Sequence, residues 1–273
     1  MHLQIFDVEH GGCALLTCDN GTRLMIDCGH NATTGWYPGE HLRRLGVRHL
    51  EMLVVTNYDQ DHISGFPNLV ENVSIGTIVR NTSVAPKDIW SLKSEDGIVS
   101  SAMQRFIQAI STKYGPPGAA PALQFPGVAW STYRNAYPIF DDENNLSLVL
   151  RLQVGRFSFL FPGDLECAGW KHLLATNREF AGVVSTTTVL MAAHHGRFNG
   201  ICPELFDTYG CNPELVVISD DYRQFASQNT TNFYGSRCRG ISSFRNQGPR
   251  KVLTTREDGP LTFTWQGAEC CVY

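Results

Sequence analysis

Short runs of alternating apolar and polar residues open the chain, which is the pattern of β-strands with one buried face. Leu3 to Val8 alternates in this way, and Cys13 to Thr17 forms a second run after a glycine turn. Asp19-Asn20-Gly21 is a strong hairpin signal, and it leads into a third run from Thr22 to Asp27. The chain is therefore predicted to open as an antiparallel meander.

The next pattern mixes helical and strand periods. A short helix is predicted for residues 39–45, and buried strands are predicted for 53–55 and 75–79. A longer helix ends before Gly115 and presents an apolar stripe at positions i, i+3, i+4 and i+7, formed by Met103, Phe106, Ile107 and Ile110. Residues 116–143 are rich in Pro, Gly and Ala, which predicts a long irregular connection or an inserted flap.

Strand patterns dominate the second half. They cover residues 146–152, 157–161, 187–193, 215–219, 251–255 and 261–265, with a helix predicted for 165–174. No linker separates two cores, so residues 1–273 are predicted to form a single layered α/β domain. An insertion or flap is expected at about residues 80–140.

Composition is that of an ordinary globular protein, with 42% hydrophobic and 18% charged residues. No signal sequence or apolar window of membrane-spanning length is recognised, so the expectation is a cytoplasmic protein with no membrane partner. Nine cysteines without a C-x-x-C pair indicate reduced thiols. Phosphate-loop, dinucleotide-turn and serine-elbow motifs are also lacking, which gives no support to those enzyme classes.

Charge is uneven although the net charge is only −4. Residues 222–256 hold no acidic side chain and seven basic ones: Arg223, Arg237, Arg239, Arg245, Arg250, Lys251 and Arg256. This stretch either attracts a polyanion such as nucleic acid or forms a solvated loop.

Four polar signals follow apolar strands, at Asp27, at residues 57–62, at Gly163-Asp164 and at His194-His195. Side chains at the ends of neighbouring strands converge at one edge of a sheet. Carboxylates and imidazoles together are ligands for divalent cations, so the four signals predict a metal site. A solvated acidic turn is the alternative interpretation of the 57–62 segment taken alone.

These motifs resemble those of the metallo-β-lactamase superfamily, in the branch typified by the hydrolase domain of ComEC-type DNA-uptake proteins. The H-x-D-x-D-H metal motif is matched from Asn57 to His62, except that Asn57 stands where the family has histidine. Other matches cover nearly the whole length, namely the opening turn at residues 7–12, Ile26-Asp27-Cys28-Gly29, the 145–148 hairpin leading to Gly163-Asp164, and His194-His195-Gly196.

The resemblance implies an αββα four-layer sandwich with a metal centre at one edge. It implies that Asp61, His62 and one of His194 and His195 hold the second metal, with Asp164 bridging. Asn57 and Asp59 would face the first metal. His194 is preferred as the ligand because it comes first after its strand. Catalytic candidates are Asp61, His195, which would contact substrate or move a proton, and Asp27, which would orient a ligand.

One or two ions are expected, either Zn²⁺ or Mn²⁺, with Mg²⁺ also compatible with carboxylate ligands. An amide at position 57 is a weaker ligand than imidazole, which leaves the occupancy of the first position open. The leading hypothesis is a hydrolase of phosphodiesters, with nucleic acid or another phosphate-bearing molecule as substrate. The alternatives are a hydrolase of small phosphoesters, esters or lactones, and a catalytically silent binding module.

Overall fold

A computed structural model describes residues 1–95, 97–115, 123–222 and 228–273 of the chain. The described strands, in chain order, are β1 (His2–Ile5), β2 (Ala14–Thr17), β3 (Arg23–Ile26), β4 (His49–Val54), β5 (Ser74–Val79), β6 (Val128–Arg134), β7 (Leu148–Val154), β8 (Phe157–Phe161), β9 (Val189–Met191), β10 (Leu215–Ile218), β11 (Val252–Thr254), β12 (Leu261–Gln266) and β13 (Glu269–Val272).

The described helices lie mostly between these strands. They are α1 (Pro38–Arg44), α2 (Gln60–Ile63), α3 (Phe66–Asn72), α4 (Pro86–Glu95), α5 (Ser101–Ser111), α6 (Cys167–Thr176), α7 (Arg178–Val184), α8 (Pro203–Asp207), α9 (Thr231–Gly235) and α10 (Thr255–Asp258). Two short 3₁₀ turns, Ala193–Gly196 and Phe198–Gly200, follow β9.

The strands form two mixed sheets. One has the order β13-β12-β1-β2-β3-β4-β5, and the other has the order β11-β10-β9-β8-β7-β6. The predicted meander is confirmed, because β1, β2 and β3 pair antiparallel in sequence. Strands β3 to β5 are parallel, as are β8 to β11, so within each sheet the carboxyl ends of these strands lie at one edge.

Three hydrophobic cores show that the sheets and helices are layered. Leu16 and Leu24 pack against Phe159 between the two sheets. Successive residues of a strand point to opposite faces, so Leu15 lies instead in a second core that includes Phe106 of α5. A third core joins the outer face of the other sheet, with Leu160 and Val216, to Trp170 of α6 and Phe180 of α7. The result is the αββα sandwich that the resemblance implied.

Residues 80–140 differ in part from their prediction. No helix was predicted between residues 80 and 97, yet α4 lies there, and its Ile89 and Leu92 are buried. Val128–Arg134 was assigned to an irregular connection, yet it forms β6 and pairs with β7 along its full length. Residues 116–122 of the expected flap lie outside the described residues. That the chain is a single domain with an insertion stays a prediction.

Membrane-spanning potential can be judged for the described helices. Over the described ranges, with gaps at residue 96, residues 116–122 and residues 223–227, no helix has the length and apolar character needed to cross a bilayer.

Candidate metal centre

The predicted polar signals meet at the edge where parallel strands end. Asp27 directly follows β3, and residues 56–62 follow β4, its parallel neighbour. Asp164 follows β8, and the His194-His195 pair follows β9 in the other sheet. Each sheet therefore contributes part of one site, and the two parts face each other where the sandwich opens.

Four side chains converge most closely: Asp61, His62, Asp164 and His195. One ligand atom from each lies within 4.8 Å of all the others. Nε2 of His62 is 3.0 Å from Oδ1 of Asp164 and 3.2 Å from Nε2 of His195. Nε2 of His195 is 3.1 Å from Oδ2 of Asp61 and 3.3 Å from Oδ1 of Asp164. Two imidazole nitrogens and two carboxylates thus surround one point.

His62 is held from behind by Asp27. Nδ1 of His62 lies 2.9 Å from Oδ2 of Asp27, a carboxylate that also accepts hydrogen bonds from the Thr56 backbone N–H at 2.7 Å and from the Thr56 hydroxyl at 2.5 Å. A carboxylate acceptor favours a proton on Nδ1 and leaves Nε2 available to bind an ion. Asp27 thus lies behind His62, on the side away from Asp164, and its role in orienting a metal ligand stays a prediction.

His195 is held in the same way by the main chain. Its Nδ1 lies 3.0 Å from the carbonyl oxygen of Ser219, just beyond β10. A carbonyl oxygen can only accept, so Nδ1 carries the proton and Nε2 faces the cluster. The hydroxyl of Ser219 donates to the Gly11 carbonyl at 2.8 Å, which ties this support to the opening turn of the chain.

The protonation of the cluster reflects charges confined in a buried space. Burial opposes a charge on His195, but Asp164 and Asp61 outweigh it and raise the pKa of His195 to about 10. Burial likewise opposes a charge on His62, and the carboxylates of Asp164 and Asp27 raise the pKa of His62 well above its usual value. In the absence of metal, both rings therefore carry a second proton, on Nε2. A cation at the same point would displace that proton.

The carboxylates respond in the opposite direction. Burial alone would raise the pKa of Asp164, but the charges of His62 and His195 lower it well below the usual value. Burial would also raise the pKa of Asp61, but the hydrogen bond from His195 and the charge of His62 lower it below its usual value. Each carboxylate is thus ionised near neutral pH and available as a ligand.

The donor set and spacing fit a divalent cation. A tetrahedral Zn²⁺ ion with bonds of about 2.0–2.2 Å separates its ligands by roughly 3.4 Å. The pairs above are separated by 3.0 to 3.3 Å. Exposure is uneven, since the side chain of Asp61 keeps 36% of its surface exposed and that of Asp164 keeps 3%. Solvent therefore reaches the cluster from the Asp61 side.

His194 lies beside this cluster. Its Nε2 is 4.0 Å from Oδ2 of Asp164, and it accepts a hydrogen bond from Arg197 at 3.2 Å. Burial lowers the pKa of His194, so the ring is neutral and can accept that bond. The structure thus brings His195 into the cluster, whereas His194 was the preferred ligand. The chain reverses sharply after β9, because both histidines adopt left-handed backbone angles, with φ of 50° and 52°.

Asn57 and Asp59 are engaged elsewhere. The Asn57 amide donates to Ser147 Oγ at 3.1 Å, and its carbonyl oxygen accepts from the Asp59 backbone N–H at 2.7 Å. The Asp59 carboxylate forms a salt bridge with Lys93 at 2.8 Å. Lys93 also lies 3.0 Å from Glu143. These contacts occupy the groups assigned to the first metal, and their assignment as ligands stays a prediction.

Several residues that support the site were not predicted to do so. Ser219 was recognised only as a strand end, and Lys93 was not assigned to any helix or strand. Gly12 was recognised only as part of the opening turn. A Cβ atom at Gly12 would lie 2.9 Å from Oδ2 of Asp27 and 3.1 Å from Nδ1 of His62. The close approach of backbone to site explains this glycine, although a lone glycine gives no such signal in sequence.

The basic stretch is largely paired with acidic side chains from other segments. The pairs are Arg237 with Asp207, Arg239 with Glu214, Arg250 with Asp258, and Arg256 with Asp220. Arg245 donates to the carbonyl oxygens of Asp258 and Pro260. Arg223 lies outside the described residues. This pairing reduces the positive charge that the stretch presents to a polyanion.

Two curated proteins align with this chain across the site. The competence protein ComA of Neisseria gonorrhoeae is 26% identical over 261 residues, which cover 95% of this chain. ComE operon protein 3 of Bacillus subtilis is 23% identical over 221 residues, or 81% of this chain. Both relatives are ComEC-type proteins, the group that the motifs of this chain resemble. The sandwich fold around the four-residue cluster agrees with the same motifs. The chain has the metallo-β-lactamase fold, and its sequence is similar to these two ComEC-type proteins.

The chain spans only 31% of the length of ComA and 25% of the length of ComE operon protein 3. No protein-family model matches it. Among solved structures, it is similar to the metallo-β-lactamase fold protein YhfI of Bacillus subtilis, with 10% identity and a TM-score of 0.48. That alignment covers 97% of this chain and 100% of YhfI.

One residue of the opening turn has an unusual backbone conformation. Glu9, in the opening turn at residues 7–12, adopts φ of 61°. Glycine takes such angles readily, whereas residues with a side chain take them uncommonly. The fold thus keeps the turn that brings Gly11 and Gly12 against the site.

Proposed function

We propose that this chain is a metal-dependent hydrolase of phosphodiester bonds. The observation that carries the proposal is the cluster of Asp61, His62, Asp164 and His195, whose ligand atoms lie within 4.8 Å of one another. Both imidazoles present Nε2 inward while Nδ1 is held by an acceptor behind it. Such an arrangement is typical of metal-binding histidines and has no equally simple explanation as packing.

The proposed roles follow from these contacts. Asp61, His62, Asp164 and His195 hold one divalent cation, while Asp27 and the Ser219 carbonyl fix the two rings. A bound cation supplies a Lewis acid that lowers the pKa of the attacking water and offsets charge on the phosphoryl oxygens. The exposed side of Asp61 is where a substrate approaches. Neutral His194, beside Arg197, is placed to contact that substrate or to receive a proton.

Two imidazoles and two carboxylates are compatible with Zn²⁺ and with Mn²⁺, and Mg²⁺ is less suited to imidazole. We propose one ion at this cluster. The Lys93 salt bridge to Asp59 places a positive charge where a first metal would need its carboxylate. Occupying that position would require Asp59 to exchange Lys93 for the ion.

The substrate class is proposed on two supports. One is the resemblance of the motifs to the hydrolase domain of ComEC-type proteins, and the other is the similarity to ComA and ComE operon protein 3. Nucleic acid is therefore the proposed substrate. The basic stretch adds little, because most of its arginines are paired within the protein.

Cleavage assays test this function directly. Purified protein is incubated with single- and double-stranded DNA and RNA in Mn²⁺, Zn²⁺ or Mg²⁺. We expect cleavage in at least one metal, and its loss in Asp61→Ala and Asp164→Ala. The exposed Asp141→Asn serves as the matched control and should retain activity. No cleavage in any metal, or equal cleavage by the Asp61 and Asp164 variants, counts against the proposal.

A binding module without catalysis is the second candidate. It is favoured because Asn57 is hydrogen-bonded to Ser147 and Asp59 forms a salt bridge with Lys93, so neither side chain is free to bind a first metal. Chelation separates the two. A hydrolase should lose its bound ion and its activity together and regain both when metal returns. Unchanged stability after chelation, with less than about one equivalent of metal before it, would identify the silent module.

A further inference from the structure

A second group of metal-ligand side chains lies where α6 packs against α8, outside the proposed centre. Cys167 is the first residue of α6, Cys202 directly precedes α8, and Glu204 lies in the first turn of α8. One ligand atom from each lies within 4.8 Å of the other two. Two cysteines and a carboxylate from two separate segments of the chain therefore meet at one point.

The contacts within this group leave one side of the carboxylate available to an ion. Oε1 of Glu204 is bound by Lys171 at 2.7 Å. Oε2 of Glu204 lies 3.5 Å from Sγ of Cys202. Because Lys171 takes the other oxygen, Oε2 can turn to an ion shared with the two thiols.

The charges balance for a divalent cation. Two thiolates and one carboxylate carry three negative charges, and the Lys171 ammonium offsets one of them. A divalent cation would neutralise the remaining two. Burial raises the pKa of Cys202 to about 12, so its thiol stays protonated until a cation replaces the proton.

The group also combines a buried anchor with access from solvent. Cys202 is 1% exposed, whereas the side chain of Glu204 is 41% exposed. Cys167 is half-buried. An ion can therefore enter from solvent, and water can complete a fourfold coordination, as in zinc sites with three protein ligands.

We propose that Cys167, Cys202 and Glu204 form a second site for a thiophilic divalent cation such as Zn²⁺. On binding, two S–H bonds break, two metal–sulfur bonds form, and two protons leave to solvent, with no change of oxidation state. The site is independent of the proposed hydrolase function.

The position of this site gives it a structural role. Cys167 closely follows Asp164 in the chain, and Cys202 follows the turn that carries His195. The two loops already touch, since the Asn199 amide donates to Glu166 at 2.6 Å. An ion held by both cysteines would tie together the two loops that bring Asp164 and His195 to the proposed centre.

Cobalt titration of the metal-free full chain tests the site. Thiolate bound to Co²⁺ gives an intense charge-transfer absorption in the near ultraviolet, which nitrogen and oxygen ligands do not give. We expect this absorption in the wild type and in Asp61→Ala, and we expect Zn²⁺ to abolish it. It should be lost in Cys167→Ser and Cys202→Ser and retained in Cys271→Ser, the matched control at an exposed cysteine.

Three results would overturn the proposal. They are no charge-transfer absorption in the wild type, undiminished absorption in both Cys167→Ser and Cys202→Ser, or a Cys167–Cys202 disulfide found by peptide mass spectrometry of unreduced protein. If Cys202→Ser fails to fold, substitutions at the more exposed Cys167 and Glu204 test the proposal instead. Cys167→Ser must then lose the absorption, and Glu204→Gln must bind Co²⁺ at least about tenfold more weakly.

Discussion

At the residue scale, the hydrogen-bond partners of each imidazole determine which ring nitrogen faces the cluster. His194 and His195 are adjacent in sequence, yet their Nδ1 atoms have different partners. Nδ1 of His195 donates to the Ser219 carbonyl oxygen at 3.0 Å, and its Nε2 faces Asp61 and Asp164. Nδ1 of His194 lies 3.6 Å from Oε1 of Glu166, beyond hydrogen-bond distance. His194 instead accepts from Arg197 and stays neutral. Neighbouring residues of the same type thus have different protonation and different expected roles.

Substitution of the two histidines distinguishes those roles. His195→Ala should weaken binding of Zn²⁺ by at least about tenfold, since it removes a proposed ligand. His194→Ala should leave Zn²⁺ affinity nearly unchanged, because its ring lies outside the cluster. Calorimetric titration of both variants checks this. Equal loss of affinity in the two variants, or a larger loss in His194→Ala, would show that the roles are reversed.

Asp27 is expected to act through His62. Asp27→Asn keeps the shape but replaces one acceptor oxygen with a donor, so it cannot accept from Thr56 and His62 as the carboxylate does. Metal affinity should fall about 10–100-fold. Asp141→Asn, at an exposed position, is the control. Metal affinity of Asp27→Asn equal to that of the control would contradict the orienting role.

Sequence was most informative about residue types and least about which atoms meet. The four strand-end signals were recognised because strand ends share an edge. The choice between His194 and His195 depended on two left-handed backbone angles, which no side-chain pattern encodes. Lys93, far from Asp59 in sequence, could not be assigned as its partner without the fold.

At the scale of elements, strands with clear alternation or strong turn signals were predicted well. β6 was missed because Pro, Gly and Ala around it dominate the local composition, although its pairing with β7 decides its structure. α4 was missed because few of its residues are apolar. Where contacts distant in sequence determine an element, local composition is a weak guide.

The opening turn shows how an element supports the site. A side chain at Gly12 would press on the bond between Asp27 and His62, so Gly12→Ala should destabilise the protein by about 1–3 kcal/mol and weaken metal binding. Gly182, inside α7, has open space around its Cβ position. Gly182→Ala should therefore be neutral or stabilising by about 0.5–1 kcal/mol.

Urea unfolding of both glycine variants measures this difference. The expected order of unfolding free energy is Gly182→Ala, at or above wild type, followed by Gly12→Ala. If Gly12→Ala were as stable as wild type and bound metal equally well, a side chain at position 12 would not disturb the contact between Asp27 and His62. That result would contradict the role given to Gly12.

At the scale of the whole molecule, the cluster couples stability to pH. In metal-free protein the pKa of His195 is raised from 6.5 to about 10, so the folded state binds its proton more tightly than the unfolded state. The stabilisation is complete below about pH 6.5 and is lost as pH rises through about 10. The unfolding free energy should therefore fall over this interval.

Chemical denaturation of metal-free protein at several pH values checks the slope. His195→Gln should show a smaller decrease than wild type, while His49→Gln, at an exposed position, should match wild type. Identical slopes in all three proteins would mean that His195 is not held protonated by Asp61 and Asp164.

Both sheets contribute ligands, so the central claim concerns how the halves of the sandwich meet. Anomalous diffraction from metal-loaded crystals, measured at the absorption edge of the ion, tests it most directly. The account predicts a peak bounded by Asp61, His62, Asp164 and His195, with His194 outside its coordination. A peak at Asn57 and Asp59 alone, or no peak among the four residues at full metal loading, would contradict it.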